Sequence, residues 1–148
     1  MYQLHRVNRQ LIDANWQRIK NSGGPFLKGP AASYGQFESF LSQAAFAVEL
    51  DYGLLTFDRT HDKEVLRVHG FFWSPKVFRY TSELSQVAHC VCHIGNYRRL
   101  EITFPMQIRG IHAIVKGAGF TYEGCLRSYF KWSDEVYDAA MYSFIVEE

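Results

Sequence analysis

Cysteine and histidine are most concentrated in the segment AHCVCH, residues 88–93, where residue types that bind zinc or carry out redox chemistry lie close together. His89 and His93 are four residues apart, which is the spacing of helical zinc ligands. Cys90 and Cys92 would lie about 200° apart around a helix axis, so they cannot hold one ion together. Neither the HExxH motif of helical zinc sites nor a CxxC redox motif is present. The sequence therefore predicts no metal site here.

The residues around this segment predict a helix capped by Thr81 or Ser82 and ended by Gly95 and Asn96. Glu83 falls in its first turn, where the helix dipole favours negative charge. Apolar residues recur at helical spacing and define the buried stripe: Leu84, Val87, Ala88, Val91 and Ile94. The two histidines fall on the opposite face, so we expect them to be exposed to solvent.

The remaining periodicities predict the element order β-α-α-β-β-β-α-β-α-β-β, a mixed α/β domain with an antiparallel first half and one βαβ crossover. The other predicted strands are Met1–Arg6, Phe46–Leu50, Leu54–Asp58, Val65–Trp73 and Leu100–Phe104. The other predicted helices are Arg9–Asn21, Ser33–Gln43 and Ile108–Lys116. The tail, Phe120–Val146, reads as a long hairpin that turns at Ser133 and Asp134.

Composition limits the class of protein. A chain of 148 residues with 47% apolar content is expected to form a single domain over residues 1–148. A net charge of +1 argues against a general binder of nucleic acids or membrane surfaces. No apolar run approaches the 18 residues of a membrane span, and the first residues lack the apolar region of a signal peptide. Three cysteines, an odd number, fit a reducing compartment, and we expect a cytoplasmic protein.

The C-terminal third carries the most specific pattern. A helix ends in Gly119-Phe120, Glu123-Gly124 and Leu126-Arg127 follow, and after the turn come Asp138 and Tyr142-Ser143. In this register the segment resembles the GNAT superfamily of N-acyltransferases, in particular the branch of the ribosomal-protein alanine acetyltransferases. NYRRLEITF, residues 96–104, is similar to the fifth strand of that family and its approach. The resemblance implies a GNAT-like fold with a mixed, mostly antiparallel sheet flanked by helices.

The resemblance also implies acetyl-CoA as acyl donor, bound where the fourth and fifth strands part. It assigns the cofactor contacts to the end of the fourth strand and to the segment before the next helix: Phe72, Trp73, Arg79, Tyr80, Thr81 and Ser82. A backbone N–H would contact the acyl carbonyl, and amides at the helix start would hold the pyrophosphate.

The sequence departs from the family in that loop. Ser82 and Leu84 stand where the family has glycines that let phosphate approach the backbone, and Glu83 adds a negative charge. Ile108 and Val115 replace an asparagine and a tyrosine that are common in the family. These changes predict weak or absent acetyl-CoA binding on a retained fold.

Two functions follow from the resemblance. In an N-acyltransferase, Glu101 would be the general base for an amine substrate and Tyr142 the general acid for the departing thiolate. The alternatives are that Glu101 pairs with Arg99 or another neighbour and that Tyr142 packs in the hairpin. The second function is non-catalytic binding or assembly, as in GNAT-like head-assembly proteins of short-tailed phages, which would act in the host cytoplasm. The partner would then be a protein, a homodimer is compatible with either function, and the aromatic segment Gly70–Trp73 would suit an interface or a core.

Overall fold

The computed structural model describes residues 3–22, 33–132 and 134–146, and its helices and strands follow in the predicted order. The strands are β1 (Gln3–His5), β2 (Phe46–Leu50), β3 (Gly53–Arg59), β4 (Val65–Phe72), β5 (Arg99–Pro105), β6 (Thr121–Trp132) and β7 (Glu135–Ile145). The α-helices are α1 (Arg9–Ser22), α2 (Tyr34–Ser42), α3 (Thr81–Gly95) and α4 (Arg109–Gly117), and a 3-10 turn, Pro75–Arg79, precedes α3. Met1, which was expected to begin β1, and Ser133, expected in the hairpin turn, lie outside the described residues.

The strands form one seven-stranded sheet in the order β1-β2-β3-β4-β5-β7-β6. The pairings of β1 with β2, β2 with β3, β5 with β7 and β6 with β7 are antiparallel, whereas β4 and β5 are parallel, joined through α3. This confirms the mixed, mostly antiparallel sheet with a parallel crossover from β4 to β5.

The contacts within the chain separate into two compact units. The first consists of Met1–Arg59 with Val68–Val77, and the second of Thr60–Arg67 with Phe78–Glu148. The expectation of a single domain stays a prediction.

In the first unit, the side chains of Asn8 and Ser33 cap the starts of α1 and α2. The Asn8 side chain accepts a hydrogen bond from the Leu11 N–H at 2.8 Å, and Ser33 accepts one from the Gln36 N–H at 3.2 Å. The apolar faces of these helices share a core with β2 and β3, made of Leu11, Ile12, Ile19, Phe37, Leu41, Ala47 and Leu54.

In the second unit, β5 has strand partners on both sides. Its ladder with β4 consists of three pairs, Val65 with Arg99, Leu66 with Leu100 and Arg67 with Glu101. Its ladder with β7 runs the full length of the strand. Glu101 is therefore the last residue of β5 that pairs with β4.

Helix α3 ends at Gly95 and Asn96 as predicted, and it differs from its prediction in its capping residue and in one residue of the buried stripe. Its capping residue is Tyr80 rather than Thr81 or Ser82, because the Tyr80 carbonyl oxygen accepts from the amides of Glu83 and Leu84. Near the other end, Ile94 is 78% exposed, and Cys92 takes its place on the buried face. Only one residue separates Ile94 from the left-handed Asn96, where the chain leaves the helix. No helix among the described residues is long and apolar enough to cross a membrane.

Candidate functional site

Glu101, the predicted general base, belongs to a charged network in the second unit that is centred on Arg99. Its Oε1 accepts a hydrogen bond from Nε of Arg99 at 2.9 Å, and both side chains are mostly buried. A second nitrogen of the Arg99 guanidinium is 3.6 Å from Oε1 of Glu123. The pairing with Arg99, one of the alternatives considered from the sequence, is thus present, and the role of Glu101 as a base stays a prediction.

Glu123 belongs to the same network through the Ser143 hydroxyl, which donates to its carboxylate. This hydrogen bond, and then the charge of Arg99, lower the pKa of Glu123 from its ordinary value. Ser143 stands directly opposite Glu101 in the β5–β7 ladder. The carboxylates of Glu101 and Glu123 thus both pair with the Arg99 guanidinium, at the point where the β4–β5 ladder ends.

A pocket of about 270 Å³ opens beside this network, at the amino-terminal ends of β4 and β5. Its lining is Thr60, His61, Asp62, Val65, Arg67, Arg98, Arg99 and Glu101. Arg98 closes one side by pairing with Asp62 and, at 3.0 Å, with Glu64. Two of the three arginines that line the pocket, Arg98 and Arg99, are thus paired with carboxylates.

Tyr142, the predicted general acid, is 1% exposed, and its hydroxyl is 2.8 Å from Nδ1 of His112. Its ring stacks on Phe104 at 5.6 Å and belongs to the core cluster that includes Val115. Packing within the hairpin, the alternative considered from the sequence, is what the structure contains. The catalytic role of Tyr142 stays a prediction, and His112, its partner on α4, was not among the residues selected from the sequence.

The four predicted cofactor-binding residues before and at the start of α3 have accessible side chains. Arg79, Tyr80 and Ser82 are exposed, and Thr81 is half-buried beside Gly117. Tyr80 makes no side-chain cap, so no capping side chain competes for the first amides of the helix. A helix start of this kind is suited to an anion.

The two positions that replace family glycines differ in the structure. Ser82 is exposed at the helix start, whereas Leu84 is 6% exposed and packs in the core. The sequence led us to expect that the Leu84 side chain would crowd the helix start. In the structure it does not, because it points into the core. What remains unfavourable for an anion is the negative charge of Glu83 in the first turn.

Phe72 and Trp73, the other predicted cofactor contacts, belong to the first unit. The Phe72 ring lies so close to Gly53 that a Cβ there would be 2.5 Å from it. The backbone N–H of Trp73 donates a hydrogen bond to the Tyr52 carbonyl oxygen at 3.1 Å. The indole N–H of Trp73 donates to the Asp51 carbonyl oxygen at 3.0 Å. The backbone donor that the resemblance provides for an acyl carbonyl is thus occupied at Trp73.

No group of three or more potential metal ligands occurs among the described residues. His89 and His93 are exposed, as expected, and Cys92 is buried. Burial raises the pKa of the Cys92 thiol to about 11.

Sequence reasoning also missed a pair in the first unit. Nε2 of His69, on β4, lies 2.9 Å from Oδ2 of Asp58, on β3. The two residues are eleven positions apart and form no motif. The strand alternation could have suggested them only with the register between β3 and β4 known.

Neither a protein-family model nor a curated protein sequence matches this chain. Several solved structures are similar to it. The microcin C7 self-immunity acetyltransferase MccE, in complex with acetyl-CoA and AMP, is similar with a TM-score of 0.76 and 16% identity, over 98% of this chain and 92% of that chain. The ribosomal L7/L12 α-N-protein acetyltransferase RimL, in complex with coenzyme A, is similar with a TM-score of 0.73 and 15% identity, over 98% of this chain and 94% of that chain.

A GCN5-related N-acetyltransferase from Brucella melitensis gives a TM-score of 0.69 at 20% identity, over 97% of this chain and 75% of that chain. At such identities the likeness is one of fold, and it spans nearly the whole chain. The chain has the fold of the GNAT N-acetyltransferases.

Proposed function

We propose that this protein is an N-acyltransferase that uses acetyl-CoA to acetylate an amine. The observation that carries the proposal is the shared fold: nearly the whole chain is similar to two acetyltransferases whose structures contain acetyl-CoA or coenzyme A. A fold alone hosts many functions, so the residues of this chain must also suit the donor.

The start of α3 suits the pyrophosphate of acetyl-CoA better than its sequence suggested. Its first turn has no side-chain cap, Arg79 supplies an exposed cation beside it, and the buried Leu84 leaves the approach open. Glu83 opposes binding by its charge. In the proposal, Arg79, Tyr80, Thr81 and Ser82 hold the donor, with a reduced affinity.

The charged network around Arg99 suits the acceptor. An amine is a cation before it reacts, and Glu101 and Glu123 provide two carboxylates for it. Acetyl-CoA supplies the activated acyl group. The chain must then orient the amine and remove its proton, for which the sequence predicts Glu101 as the general base and Tyr142 as the acid for the thiolate.

Isothermal titration calorimetry with acetyl-CoA tests donor binding, and release of free thiol in the presence of amines tests transfer. We expect binding with a Kd between about 10 μM and 1 mM, which corresponds to about 4 to 7 kcal/mol. Desulfo-CoA, which has no thioester, should bind similarly and yield no product. If millimolar acetyl-CoA gave no heat of binding, and if acetyl-CoA and desulfo-CoA did not compete for the protein, the proposal would be refuted.

Non-catalytic assembly on the same fold remains the second candidate, and one observation favours it. Among the described residues, the hairpin of β6 and β7 exposes five large apolar side chains, Tyr122, Leu126, Tyr129, Val136 and Ile145, and β6 is the last strand of the sheet. Exposed apolar residues on an edge strand are typical of a protein interface. Replacing Leu126 and Val136 by serine should abolish partner capture in an assembly protein and leave acetyl-CoA binding unchanged.

A further inference from the structure

The pocket at the amino-terminal ends of β4 and β5 contains an arginine that none of the roles above uses. All the residues that line this pocket belong to the second unit, so the pocket lies within one compact part of the chain. Its volume of about 270 Å³ is small compared with sites that hold drug-sized molecules. The pocket therefore suits a ligand of the size of an amino acid or a dipeptide.

That arginine is Arg67, on β4. It is exposed, and its side chain makes no hydrogen bond or ion pair with any residue that the structure describes. Arg98 and Arg99, by contrast, are each held by two carboxylates. The Arg67 guanidinium thus keeps its five N–H donors, in the planar arrangement that binds a carboxylate through two parallel hydrogen bonds. It is the partner that this pocket offers to an anionic group.

The register of β4 and β5 places Arg67 directly beside Glu101. Side chains alternate along a strand, so these two project from the same face of the sheet, together with Arg99. Leu66 and Leu100, the pair before them in the ladder, project from the other face and are buried. Neighbouring strands lie about 4.8 Å apart. An unpaired guanidinium and a carboxylate are therefore neighbours in one pocket.

Glu101 has an acceptor that the charged network does not use. Its Oε1 accepts the hydrogen bond from Arg99, and its Oε2 makes no hydrogen bond or ion pair with the described residues. Glu101 also makes no ion pair with Arg67, although the two are neighbours in the ladder. Its side chain is 19% exposed and lines the pocket, so a ligand there has access to it. The pocket thus offers one cation and one carboxylate oxygen, both available.

The balance of charge around the pocket disfavours a ligand of a single sign. The three arginines of the lining lie among four carboxylates, which line the pocket or pair with its arginines: Asp62, Glu64, Glu101 and Glu123. These carboxylates would repel a ligand that is only an anion, and Arg67 would repel a polyamine. A molecule with one positive and one negative group pairs with both available partners. The pocket therefore favours a zwitterion.

We propose that the acceptor is a small zwitterion, an amino acid or a dipeptide, with its carboxylate bound by the Arg67 guanidinium and its ammonium by Oε2 of Glu101. The inference rests on the proposed N-acyltransferase function and names the class of amine that this function uses. Arg67 then determines specificity, because an amine without a carboxylate leaves the guanidinium unpaired.

The first test measures binding and needs no acetyl-CoA. ¹⁵N-labelled protein is titrated with alanylalanine at slightly acidic pH, and the side-chain Nε–H signals of its arginines are followed by NMR. The dipeptide should shift the Arg67 signal, which Arg67→Gln identifies, with a Kd of about 1 mM. Acetate has only the carboxylate and alanylalanine amide only the ammonium, so each should bind at least about tenfold more weakly.

Arg127→Gln, at an exposed position of β6 outside the pocket lining, is the matched control and should bind the dipeptide as the wild type does. An equal affinity for acetate would indicate a site for anions only, and an equal affinity for the amide would indicate a site for amines only. Either result, or an Arg67 signal that the dipeptide does not shift, would overturn the inference.

The second test compares the same two peptides as acceptors of acetyl-CoA. The kcat/KM for alanylalanine should exceed that for its amide at least about tenfold, and Arg67→Gln should reduce this preference to less than about threefold. Arg67→Lys should keep an intermediate preference, because an ammonium retains the charge without the planar pair of donors. Arg127→Gln should keep the wild-type preference.

Equal kcat/KM values for the two peptides in the wild-type protein would overturn the inference while leaving the proposed function in place. A protein that acetylates no amine would instead refute the proposed function. In that case the titration alone decides whether the pocket binds a zwitterion through Arg67.

Discussion

The Tyr142 hydroxyl donates a hydrogen bond to Nδ1 of His112 at 2.8 Å, across the space between β7 and α4. The direction follows from the other side of the ring, where Nε2 is 2.8 Å from the Met106 carbonyl oxygen and must donate to it. Burial also raises the pKa of Tyr142. The phenol is therefore kept neutral, and the stability that this provides is present below its ordinary pKa of 10.0 and is lost as the pH rises past it.

We expect Tyr142→Phe to lower the free energy of unfolding by about 1 to 3 kcal/mol, because it leaves Nδ1 of His112 without its donor. Turnover per folded molecule should fall less than tenfold, since the phenolic proton is already committed to His112. Urea unfolding and thiol release measure the two quantities, and Tyr122→Phe, at a 47% exposed position, is the control. A 100-fold loss of kcat without loss of stability would support the general-acid role instead.

Glu101→Gln tests the predicted general base. If Glu101 takes the proton from the amine, the glutamine variant should lower kcat about 100-fold or more, because an amide cannot take up the proton although its oxygen can still accept a hydrogen bond from Arg99. The KM for a cationic amine should rise, since one carboxylate of the network is gone. Steady-state kinetics with acetyl-CoA and a peptide that begins with alanine measure both, and a kcat within threefold of the wild-type value would refute Glu101 as the base.

Glu83→Gln should strengthen acetyl-CoA binding about two- to fivefold. The change removes a negative charge from the first turn of α3, and a charge there is typically worth about 0.3 to 1 kcal/mol. Titration calorimetry at low ionic strength measures the gain, with Glu135→Gln on β7 as a control that should change nothing. An unchanged Kd would mean that the donor does not use the start of α3.

The order of elements could be predicted from the sequence because it depends on local patterns. Gly119 and Asn96 end their helices in left-handed conformations, with φ of 92° and 56°, as their residue types indicate. The C-terminal hairpin is confirmed, with Asp134 at a φ of 66° in the turn. Patterns of this kind involve only a few neighbouring residues, so they can be recognised in the sequence alone.

The parts of the site that sequence reasoning missed depend on contacts between distant residues. The Asp58–His69 pair requires the register of two neighbouring strands, and the His112–Tyr142 pair joins residues 30 positions apart. The exposure of Ile94 was missed for a related reason, since its spacing fits the buried stripe but the helix has almost ended there. Periodicity indicates which face is apolar and not how far a neighbouring element covers it.

Gly119→Ala should destabilise the protein by about 1 kcal/mol or more. The Gly119 N–H donates to the Lys116 carbonyl and the Phe120 N–H to that of Val115, a Schellman ending that needs the left-handed conformation. An added Cβ would find its nearest neighbour at 3.5 Å, so the cost comes from the backbone and not from a clash.

Gly35→Ala, in α2 with nothing within 4 Å of the added Cβ, is the matched control and should stabilise by about 0.5 to 1 kcal/mol. Thermal unfolding of both variants measures the difference, and equal effects would contradict the assignment of strain to Gly119.

The three thiols should react in the order of their exposure, with Cys92 last. Burial raises its pKa from 9.0 to about 11, so at pH 9 only about 1% of it is thiolate, compared with about half of an unperturbed thiol. The neutral thiol is favoured in the folded state, so its contribution to stability is present below pH 9 and is lost between pH 9 and 11. Iodoacetamide labelling of the native protein at pH 9, followed by peptide mass spectrometry, should modify exposed Cys125 at least tenfold faster than Cys92. Unfolding in guanidinium should make the two rates equal, and equal rates in the native protein would show that Cys92 is not shielded.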